Sequence, residues 1–371
     1  MKTNRLFFIL AAIIFISVAC GPDIKIPQYD YDTGNNSGGS NNNDDDNQTG
    51  GATEEDIYTV KYPEAGVTKV KTLQTTGYFS ERTIAQGITH YSFYGIDDVT
   101  KANQNVNVLE VDLNNPKYKI NFYFTSRNTT SNVGKVNKAI AAINAAYEQE
   151  AIYNRTNGVN HSEVTIRPTD PVDKSRRFWK HEAALVGDGK RKLGIINGAK
   201  GTKSIEEGGY QAIEVYKKLK ERNIYASAPL LIEDYEPVGT SFVPAAYDDF
   251  SIRQFESSFH AEDYRRHQGV RHPRTAVAIT EDNDLLLITV DGRFPGKAEG
   301  MSARELTKFI AKHFNPQWAI NMDGGGSTTM YIKGCGNPND VINYPCDDGN
   351  GVWDHVGERY LSTFLLVQYD E

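Results

Sequence analysis

Residues 321–329 read Asn-Met-Asp-Gly-Gly-Gly-Ser-Thr-Thr, a carboxylate at the end of an apolar stretch followed by three glycines and three hydroxyl residues. Consecutive glycines cost backbone entropy and suit a place where the main chain bends tightly or approaches a ligand. Two uses fit. The amides of Gly324, Gly325 and Gly326 could form an anion-binding nest, with Ser327 and Thr328 as further donors, or the run could be a glycine-rich hairpin turn. A nucleotide phosphate loop does not fit, because its spacing and its lysine are missing. Two smaller clusters offer related chemistry. Asp291-Gly292-Arg293 follows a strongly apolar run and reads either as an acid/base with a phosphate clamp or as a turn with a surface ion pair. Arg271-His272-Pro273-Arg274 enters the preceding apolar run, and a planar guanidinium suits bidentate phosphate contact; a solvated strand end is the plainer alternative.

These groups need elements to position them. Residues 275–280 (TAVAIT) and 285–290 (LLLITV) flank Glu281-Asp282-Asn283-Asp284, the pattern of a hairpin. Ser302 and Glu305 fit a capping box, and Leu306, Phe309, Ile310 and Phe314 form the apolar stripe of the helix it opens, which Pro316 stops. Strands are expected around 228–232, 318–322, 328–333 and 360–369, and a helix around Ala212, Ile213, Tyr216 and Leu219. Residues 106–113 and 118–124 alternate around Asn114-Asn115-Pro116, which reads as a hairpin or two adjacent strands. Val133, Val136, Ile140, Ile143 and Tyr147 sit at helical spacing. The fold class is α+β: mixed, largely antiparallel sheets packed with a few helices, in a single large domain over residues 57–371.

The beginning of the chain carries an address. Lys2 and Arg5 precede an apolar run over residues 6–18, and Ala19 and Cys20 follow. The run is short for a bilayer span and reads as a signal peptide over residues 1–20, with Cys20 as the lipidated residue. Residues 21–56 are polar enough to stay a flexible tether. Their acidic run lacks the pattern of a calcium loop. The expected location is the bacterial cell envelope, periplasmic or on the outer-membrane surface, touching the membrane through a lipid anchor only. A total of 40 Lys and Arg against 48 Asp and Glu gives a net charge of −8, which argues against a nucleic-acid partner. Beyond Cys20 the remaining cysteines are Cys335 and Cys346. A disulfide closing that short loop would stabilise by about 3 kcal/mol in an oxidising compartment; two free thiols are the alternative.

Taken together, residues 108–116 (VLEVDLNNP), 142–144 (AIN), 273–280 (PRTAVAIT), 290–293 (VDGR) and 321–330 (NMDGGGSTTM) resemble the phosphodiester glycosidase family. Gly357-Glu358-Arg359 before the last apolar strand resembles its closing element. The resemblance runs from about Val106 to Val367. It implies hydrolysis of an N-acetylglucosamine-like sugar-1-phosphodiester to free sugar and a phosphomonoester, so that the partner is a phosphodiester-linked saccharide or glycan. It also implies catalytic roles for Asp323 and Asp291, with Asn144, Arg274, Arg293, Asn321, Gly324, Gly325, Gly326, Ser327, Glu358 and Arg359 around the substrate. Ala145-Ala146 stands where the family usually has glycines, which would narrow the approach, and the family pattern implies a strand rather than a helix from Ala142 onward. The segment 154–203 matches nothing in the family pattern and is expected to shape a private pocket. No cofactor is firmly implied. A divalent metal on Asp291 and Asp323 would instead suit a phosphodiesterase that breaks the P–O bond. A non-catalytic surface glycan-binding lipoprotein is the other rival, supported by the alanine pair.

Overall fold

The computed structural model describes residues 77–147, 152–162, 178–203, 205–239, 263–336, 338–348 and 351–371. Cys20, the signal sequence, the tether and residues 57–76 lie outside the described residues. The first strands are β1 Ser80–Ala85, β2 Ile88–Ile96, β3 Asn103–Asp112, β4 Tyr118–Asn128, β5 Ala141–Asn144, β6 Asn154–Thr156 and β7 Val159–Asn160. Then come β8 Ala183–Gly187, β9 Leu193–Asn197, β10 Asn223–Ser227, β11 Leu230–Glu233 and β12 Glu236–Pro237. The last are β13 Arg274–Ile279, β14 Asp284–Val290, β15 Trp318–Asn321, β16 Met330–Ile332 and β17 Leu361–Tyr369. The helices are α1 Thr130–Val136, α2 Ile205–Lys218, α3 Tyr264–Gly269 and α4 Ala303–His313.

Among the described residues the strands form three sheets, antiparallel at every pairing. The largest runs β1-β2-β3-β14-β13-β15-β11-β12; the others run β7-β6-β10-β8-β9 and β16-β5-β17-β4. The largely apolar β13 and β14 sit at the centre of the large sheet and are covered on both faces, which explains why neither reads as a half-polar strand. Side chains alternate between faces at a period of two. Val277, Ile279, Leu285 and Leu287 therefore point into the main core, where they meet Ile120 and Phe122 of β4, Ile143 of β5 and Leu185 of β8. Their neighbours Ala276, Ala278, Leu286 and Ile288 point the other way, onto Leu306, Phe309 and Ile310 of α4. Each buried Val, Leu, Ile or Phe among them contributes roughly 1.5–3 kcal/mol. In the same manner α2 covers the outer face of the β8/β10 sheet through Ala212, Val215 and Tyr216, and α1 covers the β5/β17 sheet through Val133. The architecture is α+β and mostly sheet, in one domain.

The 275–290 hairpin is present with its register intact, and α4 opens on the full Ser302–Glu305 capping box. Two expectations are corrected. Strands β3 and β4 are not a hairpin: β3 pairs with β2 and β14, whereas β4 pairs with β17 in a different sheet. Local alternation marks a strand but carries nothing about its partner. The helical spacing from Val133 to Tyr147 also breaks. The helix α1 ends at Val136, and β5 follows with Ile143 in the main core and Ala142 facing α1. Pairing on both sides with β16 and β17 overrides the 3–4 spacing. Among the described residues no helix is long and apolar enough to cross a membrane.

Candidate active site

Strand β15 belongs to the large sheet and β16 to the four-stranded one, so the residues between them cross from one layer to the other. Asn144, buried at the end of β5, fixes that crossing. Its Nδ2 donates to the Asp323 carbonyl at 2.6 Å, and its Oδ1 accepts from Thr275 Oγ1 at 2.9 Å and from the Thr329 amide at 3.1 Å. The Asp323 amide donates to the Ala145 carbonyl at 2.9 Å. With its backbone held on both sides, Asp323 presents a half-buried carboxylate. Its Oδ2 accepts from Ser327 Oγ at 2.6 Å, and that hydroxyl accepts in turn from Arg359 Nη1 at 3.1 Å. Arg359 is steadied by Asp347, which takes Nε at 2.8 Å and also Nη2. Burial works to lower the Arg359 pKa, but the hydrogen bonds of Asp347 and the charges of Asp323 and Asp347 outweigh it and leave it raised.

The glycine run forms a short 3-10 turn, Gly325–Ser327. The amide of Gly325 donates to the Pro273 carbonyl at 2.8 Å, and those of Ser327 and Thr328 close on Gly324 and Gly325 at 3.2 Å. A nest of three open glycine amides is therefore not formed. The run instead permits close approach. Gly325 has φ +62°, a conformation few side-chain-bearing residues adopt, and a Cβ there would stand 3.0 Å from Arg293 Nη2. A Cβ on Gly326 would fall on Asp347 Oδ1 and 2.5 Å from Arg359 Nη2. Two guanidiniums thus close in on the turn that carries Asp323.

Asp291 is a different kind of carboxylate. It is 1% exposed and takes three N–H donors: Asn105 Nδ2 at 2.6 Å, Asn343 Nδ2 at 2.9 Å and the Tyr344 amide at 3.0 Å. Burial pushes its pKa up to about 7, against the pull of those donors toward the ionised form. The structure makes it a buried brace between β3 and the loop after β16. Arg293, two residues on, is exposed at φ +66°, with Nη1 3.9 Å from Cys346 Sγ.

Four other expected substrate residues, Arg274, Asn321, Glu358 and Thr328, are also engaged by internal partners, Glu358 while partly exposed. Arg274 is 1% exposed and donates to the carbonyls of Met301, His267 and Val270 at 2.7–2.9 Å, so it holds the segment leading into β13. Asn321 donates to the carbonyls of Ala228 and Met322 and to the Tyr147 hydroxyl. Glu358 accepts from the Ser131 amide and hydroxyl at the first turn of α1. Thr328 is buried, with its hydroxyl 3.3 Å from Thr275 Oγ1 and its carbonyl taking Asn343 Nδ2. Ala145 and Ala146 are buried in the main core and do not narrow any approach. Part of the 154–203 segment, residues 163–177, lies outside the described residues; the rest supplies β6 to β9.

Cys335 and Cys346 are free thiols, which corrects the expected disulfide. The Cys346 sulfur faces Arg293, and the Cys335 thiol donates to the Lys333 carbonyl at the hairpin end of β16. Burial raises the pKa of both.

The residues present do not fit a metal on Asp291 and Asp323. The lone pairs of Asp291 are turned to N–H donors, the wrong polarity for a cation's shell. Among the described residues one group has ligand-like proximity, Asp97, Asp98 and His313. There Asp97 accepts from Tyr78, Val99 and Thr100, and Asp98 pairs with the Lys312 ammonium.

Sequence reasoning missed Asn343, Tyr344 and Asp347. All three lie between β16 and β17, where no apolar period marks them. The usable signal was a long polar and aromatic connection inside a compact domain, a common place for functional side chains.

The family model described as phosphodiester glycosidase matches residues 137–368, more than half of the chain. Among solved structures, a hypothetical protein from Synechocystis is similar at 11% identity and TM-score 0.48, covering 78% of this chain and 63% of that one. The catalytic domain of zebrafish N-acetylglucosamine-1-phosphodiester alpha-N-acetylglucosaminidase, auto-inhibited by its pro-peptide, is similar at 18% identity and TM-score 0.47, over 81% and 87% of the two chains. A Burkholderia pseudomallei protein described as exported is similar at 11% identity and TM-score 0.46, over 84% and 99%. No curated protein matches the chain. The matched segment contains every residue from Asn144 to Arg359 that builds the Asp323 turn, and on that match the chain belongs to the phosphodiester glycosidase family.

Proposed function

We propose that the protein hydrolyses a sugar-1-phosphodiester, with an N-acetylglucosamine-like sugar, at the anomeric carbon. The observation that carries this reading is the half-buried Asp323 carboxylate, oriented by Ser327 and flanked by Arg293 and Arg359, within the family-matched segment. Breaking the C1–O bond sends the electron pair to the phosphate, which leaves as a monoester, and a water oxygen ends on the sugar. The transition state has oxocarbenium character, which a carboxylate stabilises or attacks. Asp323 takes that role. Arg293, exposed at the edge of the turn, holds the diester charge, while Arg359 keeps Ser327 and Asp323 in place. Asp291 positions the loop that carries Tyr344 and Asp347. Phosphate is a good leaving group, so this chemistry does not require a strong general acid beside Asp323. The same reading keeps the protein in the cell envelope, held by a lipid on Cys20.

The test incubates the mature chain with the methyl diester of N-acetylglucosamine-α-1-phosphate in labelled water. Free sugar carrying the label, lost in Asp323→Asn, is the expected result. Sugar-1-phosphate as product would overturn the reading, and so would full activity in Asp323→Asn.

A further inference from the structure

The loop that braces Asp291 also carries a set of stacked rings that the proposed reaction does not use. The Tyr344 amide is bonded to Asp291, and the Tyr344 ring lies flat against the Trp353 indole, with centroids 3.7 Å apart and planes 7° apart. His355 stacks on the same tyrosine at 4.3 Å, and its Nδ1 is 2.7 Å from the Asn343 carbonyl. Phe294, the residue after Arg293, meets the indole edge-on at 4.9 Å. The position of Trp353 is therefore set by the residues beside Asp291 and Arg293. Around it stand Tyr94, 64% exposed with its ring 6.2 Å away, and Lys297, whose Nζ is 5.7 Å from the indole centroid.

We infer that Trp353, with Tyr94 and Lys297, is the subsite for the sugar on the leaving side of the phosphodiester. This rests on the reading above. A pyranose ring offers a C–H face to an aromatic face, and an ammonium beside it serves hydroxyl or phosphate oxygens. The order of groups selects the side. Arg293 faces Gly325 with one nitrogen and Cys346 of the aromatic loop with the other, and its chain neighbour Phe294 supports Trp353. With the phosphate on Arg293 and the anomeric carbon at Asp323, the next sugar lies toward Trp353. The rings are held by packing before any ligand arrives, so little ordering is required on binding.

The experiment compares wild type, Trp353→Ala, Trp353→Phe and Tyr94→Ala on two N-acetylglucosamine-1-phosphodiesters, one with a 6-linked glucose and one with a methyl group beyond the phosphate. The preference in kcat/KM for the glucose diester should fall about tenfold in Trp353→Ala, less in Tyr94→Ala, and recover in part in Trp353→Phe. Calorimetric binding of glucose 6-phosphate to the same chains, in the Asp323→Asn background, gives a readout independent of turnover. Weaker binding in Trp353→Ala sustains the subsite even if neither diester is cleaved, in which case only the glycosidase reading falls. An equal loss on both diesters, or glucose 6-phosphate binding that is undetectable or unaffected by Trp353→Ala, overturns the subsite.

Discussion

Glu182 follows the 3-10 turn Phe178–His181 and precedes β8, with its side chain 6% exposed and Oε2 accepting the Leu230 amide at 2.9 Å. Burial pushes its pKa from 4.5 up to about 8. A carboxyl raised in this way keeps its proton in the folded state at pH values where the unfolded chain has already released it. Its contribution is therefore fully present below about pH 4.5 and is lost as pH rises toward the folded value. Between about pH 5.5 and about pH 8.5 the loss amounts to about 3 kcal/mol. Glu182→Gln keeps an acceptor for Leu230 and removes the titration. Urea unfolding of both proteins at the two pH values gives the quantity needed, namely the difference in stability between wild type and variant at each pH. Asp291, raised in the same direction, tilts both proteins alike and cancels in that difference. The variant should gain about 3 kcal/mol on wild type over the interval. A difference constant to within about 0.5 kcal/mol would refute a protonated Glu182 in the folded protein, since errors of a few tenths are normal for such measurements.

Three more outcomes are expected. Asn144→Ala strands the buried Thr329 amide and Asp323 carbonyl, at a cost of about 2–4 kcal/mol read from the urea midpoint. Gly326→Ala drives a methyl onto Asp347 and Arg359, so it should cost about 1–3 kcal/mol and cut diester turnover, whereas the exposed Gly201 tolerates alanine far better in turnover. Peptide mapping under non-reducing conditions should find Cys335 and Cys346 unlinked; a Cys335–Cys346 peptide would refute the free-thiol state.

The parts legible in the sequence were those decided by local pattern. The β13–β14 hairpin declared itself because both runs are apolar on both faces, and α4 because Ser302 and Glu305 must satisfy each other's neighbouring amides. The Asp323 turn was found because three glycines in a row have few other uses. What failed depended on partners distant in sequence. Asp291 and Asp323 are the same residue type beside glycine, yet one is sealed under Asn105 and Asn343 and the other is half-buried next to Ser327. Arg274 reads as a phosphate clamp until the carbonyls of His267, Val270 and Met301 are seen around it. The pairing of β4 with β17 joins residues near 120 to residues near 365, a partnership that no local alternation encodes.

That last pairing has a consequence for when the protein can begin to work. Arg359 stands two residues before β17, which inserts between β4 and β5, and β5 carries Asn144. A chain emerging from a ribosome has Asn144 and Asp323 in hand before Arg359 and β17, so the anchor for Ser327 and the middle of the four-stranded sheet come last among these parts. Assembly of that sheet waits on β17, and contacts spanning so much of the chain make the step slow. Until then the turn that carries Asp323 lacks both Arg359 on Ser327 and the strand β17 that pairs with β5.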